Sequence, residues 1–244
     1  MVKKFTWVVM RHSDRWDKTY KDSKLGKRLK DLAKVLVSEA QSSEKEDMRN
    51  IVTDWVDDPS ATEVGRAIAY KTGTQIRRAI RSFAPKYVLT SPALRCVQTS
   101  TEVIRPFQEA TSSYETPVVS VIPFLAEYYG GTNGARDTTL YGDKGIPNEF
   151  KGREITPNPN DDDEVDRERF QTLLPYLLSE YPTDSFIVTH QNYVGYLHEL
   201  LRGSKDKTID PSKVGYCGYF IAQITVDGGN FSTKILSVDL NGAR

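Results

Sequence analysis

Four short, nearly unbroken apolar runs constrain the fold of this chain more than any other feature. They are TWVVM (6–10), YVLT (87–90), VVSVI (118–122) and SFIVT (185–189). Each is rich in β-branched residues, too short for a buried helix, and does not alternate apolar with polar. A strand covered on both faces reads this way, and such strands belong to parallel sheets with helices on either side.

Helical patterns separate the runs. From Glu63 onward, Val64, Ala67, Ile68, Ile76, Ala79, Ile80 and Phe83 follow a period near 3.6, with Ser60 and Glu63 at capping-box spacing. SPALRCVQTSTEVI places Pro92 near a helix start with Ser91 as its N-cap, and Leu94, Val97, Thr101 and Ile104 along one side. Phe170, Leu173, Leu174, Leu177, Leu178 and Tyr181 make the strongest stripe, and Pro175 inside it predicts a kink or a restart. Val194, Leu197 and Leu201 form a further helical face. GYFIAQITV (218–226) and STKILSVDL (232–240) flank DGGN and read as a hairpin. The expected fold is a three-layer α/β/α sandwich with a mostly parallel central sheet and a C-terminal β-hairpin.

A length of 244 residues suits a single domain over 1–244, with insertions at about 18–56 and 129–168. Leu25, Leu29, Leu32, Val35 and Leu36 in the first suggest an amphipathic helix. The second, rich in Gly, Asn, Pro and acids, reads as a long loop or small cap. Lys plus Arg (33) balance Asp plus Glu (33), which argues against broad adhesion to nucleic acid or anionic membrane. Two cysteines do not make a secreted disulfide framework. No run has the length to cross a bilayer or to serve as a signal peptide's apolar core. A soluble cytoplasmic protein is the expectation.

In open sheets of this kind the crevice lies beyond the carboxyl ends of the strands. That rule gathers Arg11, His12 and Arg15 after the first strand, Arg95 after the second and His190 after the fourth at one edge. Guanidiniums beside an imidazole keep it neutral and therefore nucleophilic, and their planar forks suit phosphate oxygens. Metal binding is the rival reading of a histidine pair, but zinc-type spacing and carboxylate ligands are missing and the arginines oppose a cation. Glu127, after the third strand, is a candidate general acid, with Asp14 as its competitor. His198 is read as structural. Trp16, Tyr128 and Tyr129 are candidates for lining an aromatic-accepting pocket.

RHSDR, SPALRCVQT, a glutamate after the next strand and VTH, in this order over residues 5–201, resemble the histidine phosphatase (phosphoglycerate mutase-like) superfamily. DDPSATEVG (57–65) resembles its Asp-x-Pro-Leu-Thr-x-x-Gly segment in weakened form. The wording is most similar to the phosphatase domains of Sts proteins and to ecdysteroid-phosphate phosphatases. The resemblance implies a phosphomonoester hydrolase in which His12 becomes phosphohistidine and Arg11, Arg15, Arg95 and His190 hold the phosphate. Glu127 would protonate the leaving group. It implies no metal or organic cofactor, a small-molecule or protein phosphate ester as substrate, and a homodimer. A phospholigand-binding scaffold and a sugar-phosphate mutase are the alternatives. Three positions depart from the family pattern. Ser13 replaces a glycine, where a side chain crowds the phosphate, strains the backbone or adds a hydrogen bond. Asp14 stands where glutamate is common, and Gln191 where small residues are usual.

Overall fold

The computed structural model describes residues 2–15, 60–110, 117–126, 163–202 and 209–243, with the backbone alone at 123 and 163–169. In chain order these form β1 (Lys3–Arg11), α1 (Glu63–Ala79), β2 (Tyr87–Thr90), α2 (Leu94–Glu109) and β3 (Val118–Val121). They continue with α3 (Asp163–Glu180), β4 (Ser185–Thr189), α4 (Gln191–Leu201), β5 (Tyr219–Asp227) and β6 (Asn230–Asp239). Short 3-10 turns occupy Pro123–Leu125 and Pro211–Lys213.

The strands make one sheet in the order β3-β2-β4-β1-β5-β6. The first four are mutually parallel, whereas β5 runs antiparallel to β1 and β6 antiparallel to β5. The C-terminal hairpin therefore extends the central sheet. Its turn pairs Asp227 with Asn230 across Gly228 and Gly229, whose φ values of 55° and 89° are the left-handed state that a tight hairpin turn demands.

Alternation along the strands builds two cores. Phe5, Trp7 and Val9 of β1 pack on one face with Phe170, Leu173 and Leu177 of α3 and Val194 and Leu197 of α4. Val8 and Met10 pack on the other with Ala69 and Ile76 of α1 and Val103 and Phe107 of α2. Because both faces are covered, β1 reads as a continuous apolar run. The three-layer α/β/α architecture follows from that pattern.

Several expectations at the level of single elements need correction. Thr62, not Ser60, caps α1, its hydroxyl accepting from Gly65 N–H at 2.9 Å. The buried face of α1 is Gly65, Ala69, Thr72, Gly73 and Ile76, while Val64 is 61% exposed. The helix is held close by small residues, and a Cβ on residue 73 would lie 2.1 Å from Val103 O of α2. On α2 the N-cap is Ala93, and Leu94 and Thr101 face outward while Cys96, Thr99, Ser100 and Val103 face inward. Thr99 and Ser100 can be buried because each hydroxyl bonds a carbonyl one turn back. Helix α3 runs unbroken through Pro175, so there is no restart, and it begins within the stretch read from sequence as loop or cap. The 18–56 insertion and 129–162 lie outside the described residues. Among the described residues no helix is long and apolar enough to cross a membrane.

Candidate functional site

The carboxyl ends of β1, β2 and β4 are adjacent in the sheet, and each strand hands its next residues to one place. The ladder continues just past the strands: His12 N–H donates to Thr189 O at 2.9 Å and Ser91 N–H to Val188 O at 3.0 Å. These bonds fix His12, Ser91 and His190 side by side, although they come from distant parts of the chain. His12, Ser91, Arg95 and His190 are all buried.

Arg95, in the first turn of α2, joins the two histidines. Its Nε lies 3.3 Å from His12 Nε2 and its Nη2 lies 3.3 Å from His190 Nδ1. A guanidinium only donates, so both imidazole nitrogens that face it must be acceptors. The His12 hydrogen therefore sits on Nδ1, which donates to Ser13 O at 2.8 Å. The His190 hydrogen sits on Nε2, facing Ser91 Oγ at 2.8 Å. The two rings stand 5.4 Å apart at 68°. His12 thus presents an unprotonated Nε2. Burial, then the guanidinium charges of Arg95 and Arg11, hold its pKa well below the ordinary 6.5. Arg11 approaches from β1, with Nη1 donating to Val214 O at 2.6 Å and the guanidinium 4.2 Å from the Tyr216 ring centre.

The remaining residues of SPALRCVQT and of the Thr-x-x-Gly segment hold this arrangement together. Gln98 Oε1 accepts from Ala61 N–H at 2.8 Å, and Ala61 bridges to Arg15. Thr62 N–H donates to Asp14 O at 2.8 Å. Gly65 leaves room for that approach, since a Cβ there would lie 2.8 Å from Asp14 O. Thr99 donates its single hydroxyl hydrogen to Arg95 O at 2.6 Å and accepts from Ser13 N–H at 2.9 Å. Ser13 Oγ lies 3.0 Å from the same oxygen, so the hydrogen of that contact comes from Ser13. One donor and two lone pairs of Thr99 are then all used.

No family model matches the chain. An uncharacterized phosphoglycerate mutase family protein of Acanthamoeba polyphaga mimivirus is 30% identical over 150 residues, which cover 60% of this chain and 67% of that one. This chain belongs to the phosphoglycerate mutase-like, or histidine phosphatase, superfamily. Solved structures with the same fold include the ecdysone phosphate phosphatase of Bombix mori in complex with tungstate. That likeness has a TM-score of 0.56 at 18% identity and covers 96% of this chain and 92% of that one. A phosphoglycerate mutase from Bacillus anthracis str. Sterne gives 0.55 at 16% identity, covering 98% and 94%.

Two of the departures from the superfamily pattern now have structural accounts. Ser13 is fully buried and does not take a left-handed backbone, so of the three alternatives for this position backbone strain is absent. Its hydroxyl ties the His12 loop to α2. Gln191 reaches out of the first turn of α4, its Nε2 donating to Pro211 O at 3.0 Å.

The structure brings Arg11, His12, Arg95 and His190 together. Arg15 is half-buried, and its backbone bridges to Ala61. Asp14 takes part through its carbonyl. Glu127, Trp16, Tyr128 and Tyr129 lie outside the described residues, which approach the site at Leu125, whose carbonyl accepts from Thr189 Oγ1 at 3.0 Å. His198 packs edge-on to Phe220 in the core. Sequence reasoning missed Ser91 as a partner of His190, and it missed Thr99, Val214 and Tyr216 altogether. For Tyr216 a signal existed: Gly215 and Gly218 bracket YC just before a strand, which marks a turn with close backbone contacts.

Proposed function

We propose that this protein is a phosphomonoester hydrolase that works through a phosphohistidine on His12. The observation that carries the reading is the unprotonated His12 Nε2 facing a guanidinium that also engages His190. In the proposed reaction Nε2 attacks phosphorus in line while the bond to the ester oxygen breaks. Arg11 and Arg95 hold non-bridging oxygens, His190 joins them once it takes up a proton on Nδ1 as the anionic phosphate arrives, and Arg15 adds positive charge; such stabilisation is the main protein contribution to phosphoryl transfer. Glu127 gives the leaving oxygen its proton. It then takes a proton from the water that attacks phosphohistidine, breaking the P–N bond and releasing inorganic phosphate. No metal takes part in this scheme. The phosphatase named among the similar structures, with tungstate bound, supports the reading.

The test is turnover of an aryl phosphate by the purified chain in excess chelator, with rapid-quench labelling from a radiolabelled ester. Acid-labile label on His12, lost together with turnover in His12→Ala, is the expected result. Chelator-sensitive turnover, or full activity in His12→Ala, overturns the scheme. Phosphate binding without labelling would point to a phospholigand-binding scaffold. Label that passes to a sugar-phosphate acceptor faster than to water would point to a mutase.

A further inference from the structure

The segment between the Pro211–Lys213 turn and β5 runs across the site, anchored at several points. Gln191 holds Pro211 O at 3.0 Å, Gly215 N–H bonds Leu240 O at 2.7 Å, and Gly218 accepts from Arg11 N–H at 2.9 Å. Cys217 N–H faces His12 O at 3.3 Å. Cys217 itself has φ 57°, the one left-handed non-glycine among the described residues. A β-carbon disfavours that state, and such outliers persist only where surrounding structure enforces them. Here Gly242 backs it so closely that a Cβ would lie 2.7 Å from Cys217 O. The turn sets half-buried Tyr216 against the site, its ring 4.2 Å from the Arg11 guanidinium carbon and 5.6 Å from the His12 ring.

We propose that Tyr216 is a positioning residue for phosphate capture: its ring face and the Val214 carbonyl clamp the Arg11 guanidinium in one plane beside His12. An arginine stem has many rotamers, and an unclamped fork must be ordered again each time phosphate arrives. One edge fixed on Val214 O and one face fixed on an aromatic ring remove that freedom beforehand, so the fork meets phosphate oxygens already oriented. The inference rests on the phosphoryl-transfer reading of the site and adds a residue that does not itself touch the reacting atoms.

The experiment is inorganic phosphate titrated calorimetrically into the full chain, with KM and kcat measured on an aryl phosphate. Tyr216→Leu should weaken phosphate binding and raise KM by about tenfold, with a smaller change in kcat. Tyr216→Phe keeps the ring and should recover affinity to within about threefold. In an Arg11→Ala background Tyr216→Leu should add no further loss, because the two act as one unit. Phosphate binding unchanged in Tyr216→Leu, or losses that simply multiply in the double variant, overturns the proposal. A readout on the parent protein guards against misfolded variants: the Arg11 guanidinium resonance, assigned with Arg11→Lys, should show a ring-current shift. Its absence also overturns the clamp. If the parent neither binds phosphate nor hydrolyses the aryl phosphate while the ring-current shift is present, the hydrolase reading fails and the contact stands; if the parent binds phosphate and Tyr216→Leu binds equally, the clamp alone fails.

Discussion

Gly65 lies so close to Asp14 that a Cβ would come within 2.8 Å of the Asp14 carbonyl oxygen and 2.9 Å of its nitrogen. The first turn of α1 is therefore a backstop for the loop that carries His12. The contact is to backbone, which has no flexible end to move aside. Gly65→Ala should destabilise the protein by about 1–3 kcal/mol in urea unfolding, with kcat/KM falling as the loop is displaced. Gly228→Asn is the contrast: its φ is 55°, nothing lies within 4 Å of a Cβ there, and asparagine tolerates that turn. Its stability should stay within about 0.5 kcal/mol of the parent.

Arg95 engages two imidazoles at once, Nε on one and Nη2 on the other. A lysine offers a single compact charge and cannot span both. Arg95→Lys should lower kcat/KM by about a hundredfold or more, and single-turnover labelling of His12 should slow by a similar factor. Labelling at the parental rate would show that the charge alone is enough.

In the proposed reaction His12 attacks in its neutral form, and its folded pKa is held well below 6.5 by burial and by Arg95. The kcat/KM profile should stay level as pH falls through 6.5 and bend only at lower pH; a bend at 6.5 or above contradicts the site described. Stability carries the same signature. In the unfolded chain histidine regains its ordinary value, so below about pH 6.5 the unfolded state takes up a proton that the folded state refuses. The contribution is complete above that pH and declines as pH falls toward the folded value. Urea unfolding at pH 7.5 and 5.5 should show a larger acid loss for the parent than for His12→Gln.

Thr99 is buried with one hydrogen donated and two accepted. Thr99→Val keeps the shape but leaves Ser13 N–H and Arg95 O without that partner. A loss of about 1–3 kcal/mol is expected, with kcat/KM reduced because both the His12 loop and the start of α2 are loosened. Thr99→Ser keeps the hydroxyl and should recover most of both; equal damage in the two variants would trace the effect to packing.

The strand ends were legible because chemistry interrupts apolar runs there: MRH and VTH change character within one residue. That the ends of these strands share one edge of the sheet then followed from a rule about open sheets, whereas the adjacency of β1, β2 and β4 is seen only in the strand order. Helix faces were harder. Periodicity finds the buried side of α3, where Phe170, Leu173 and Leu177 fill it, but misplaces those of α1 and α2. Their inner faces use glycine, alanine and self-bonded hydroxyls, which carry almost no apolar signal. The clamp residues were hidden for another reason. Val214 acts through its carbonyl and Tyr216 through a turn whose shape depends on Gly242, and neither relation is local in sequence.

Strand β1 is paired on one edge with β4 and on the other with β5. While a ribosome makes the chain between Arg11 and Ser185, FTWVVM has neither neighbour. At ordinary translation rates of about 5–20 residues per second that interval is on the order of ten seconds or more. Strand β1 thus emerges well before either of its partners, and non-local pairing of this kind is slow to form. The consequence is an unpaired apolar strand throughout that interval, and raised chaperone capacity during expression should increase the soluble yield of this chain.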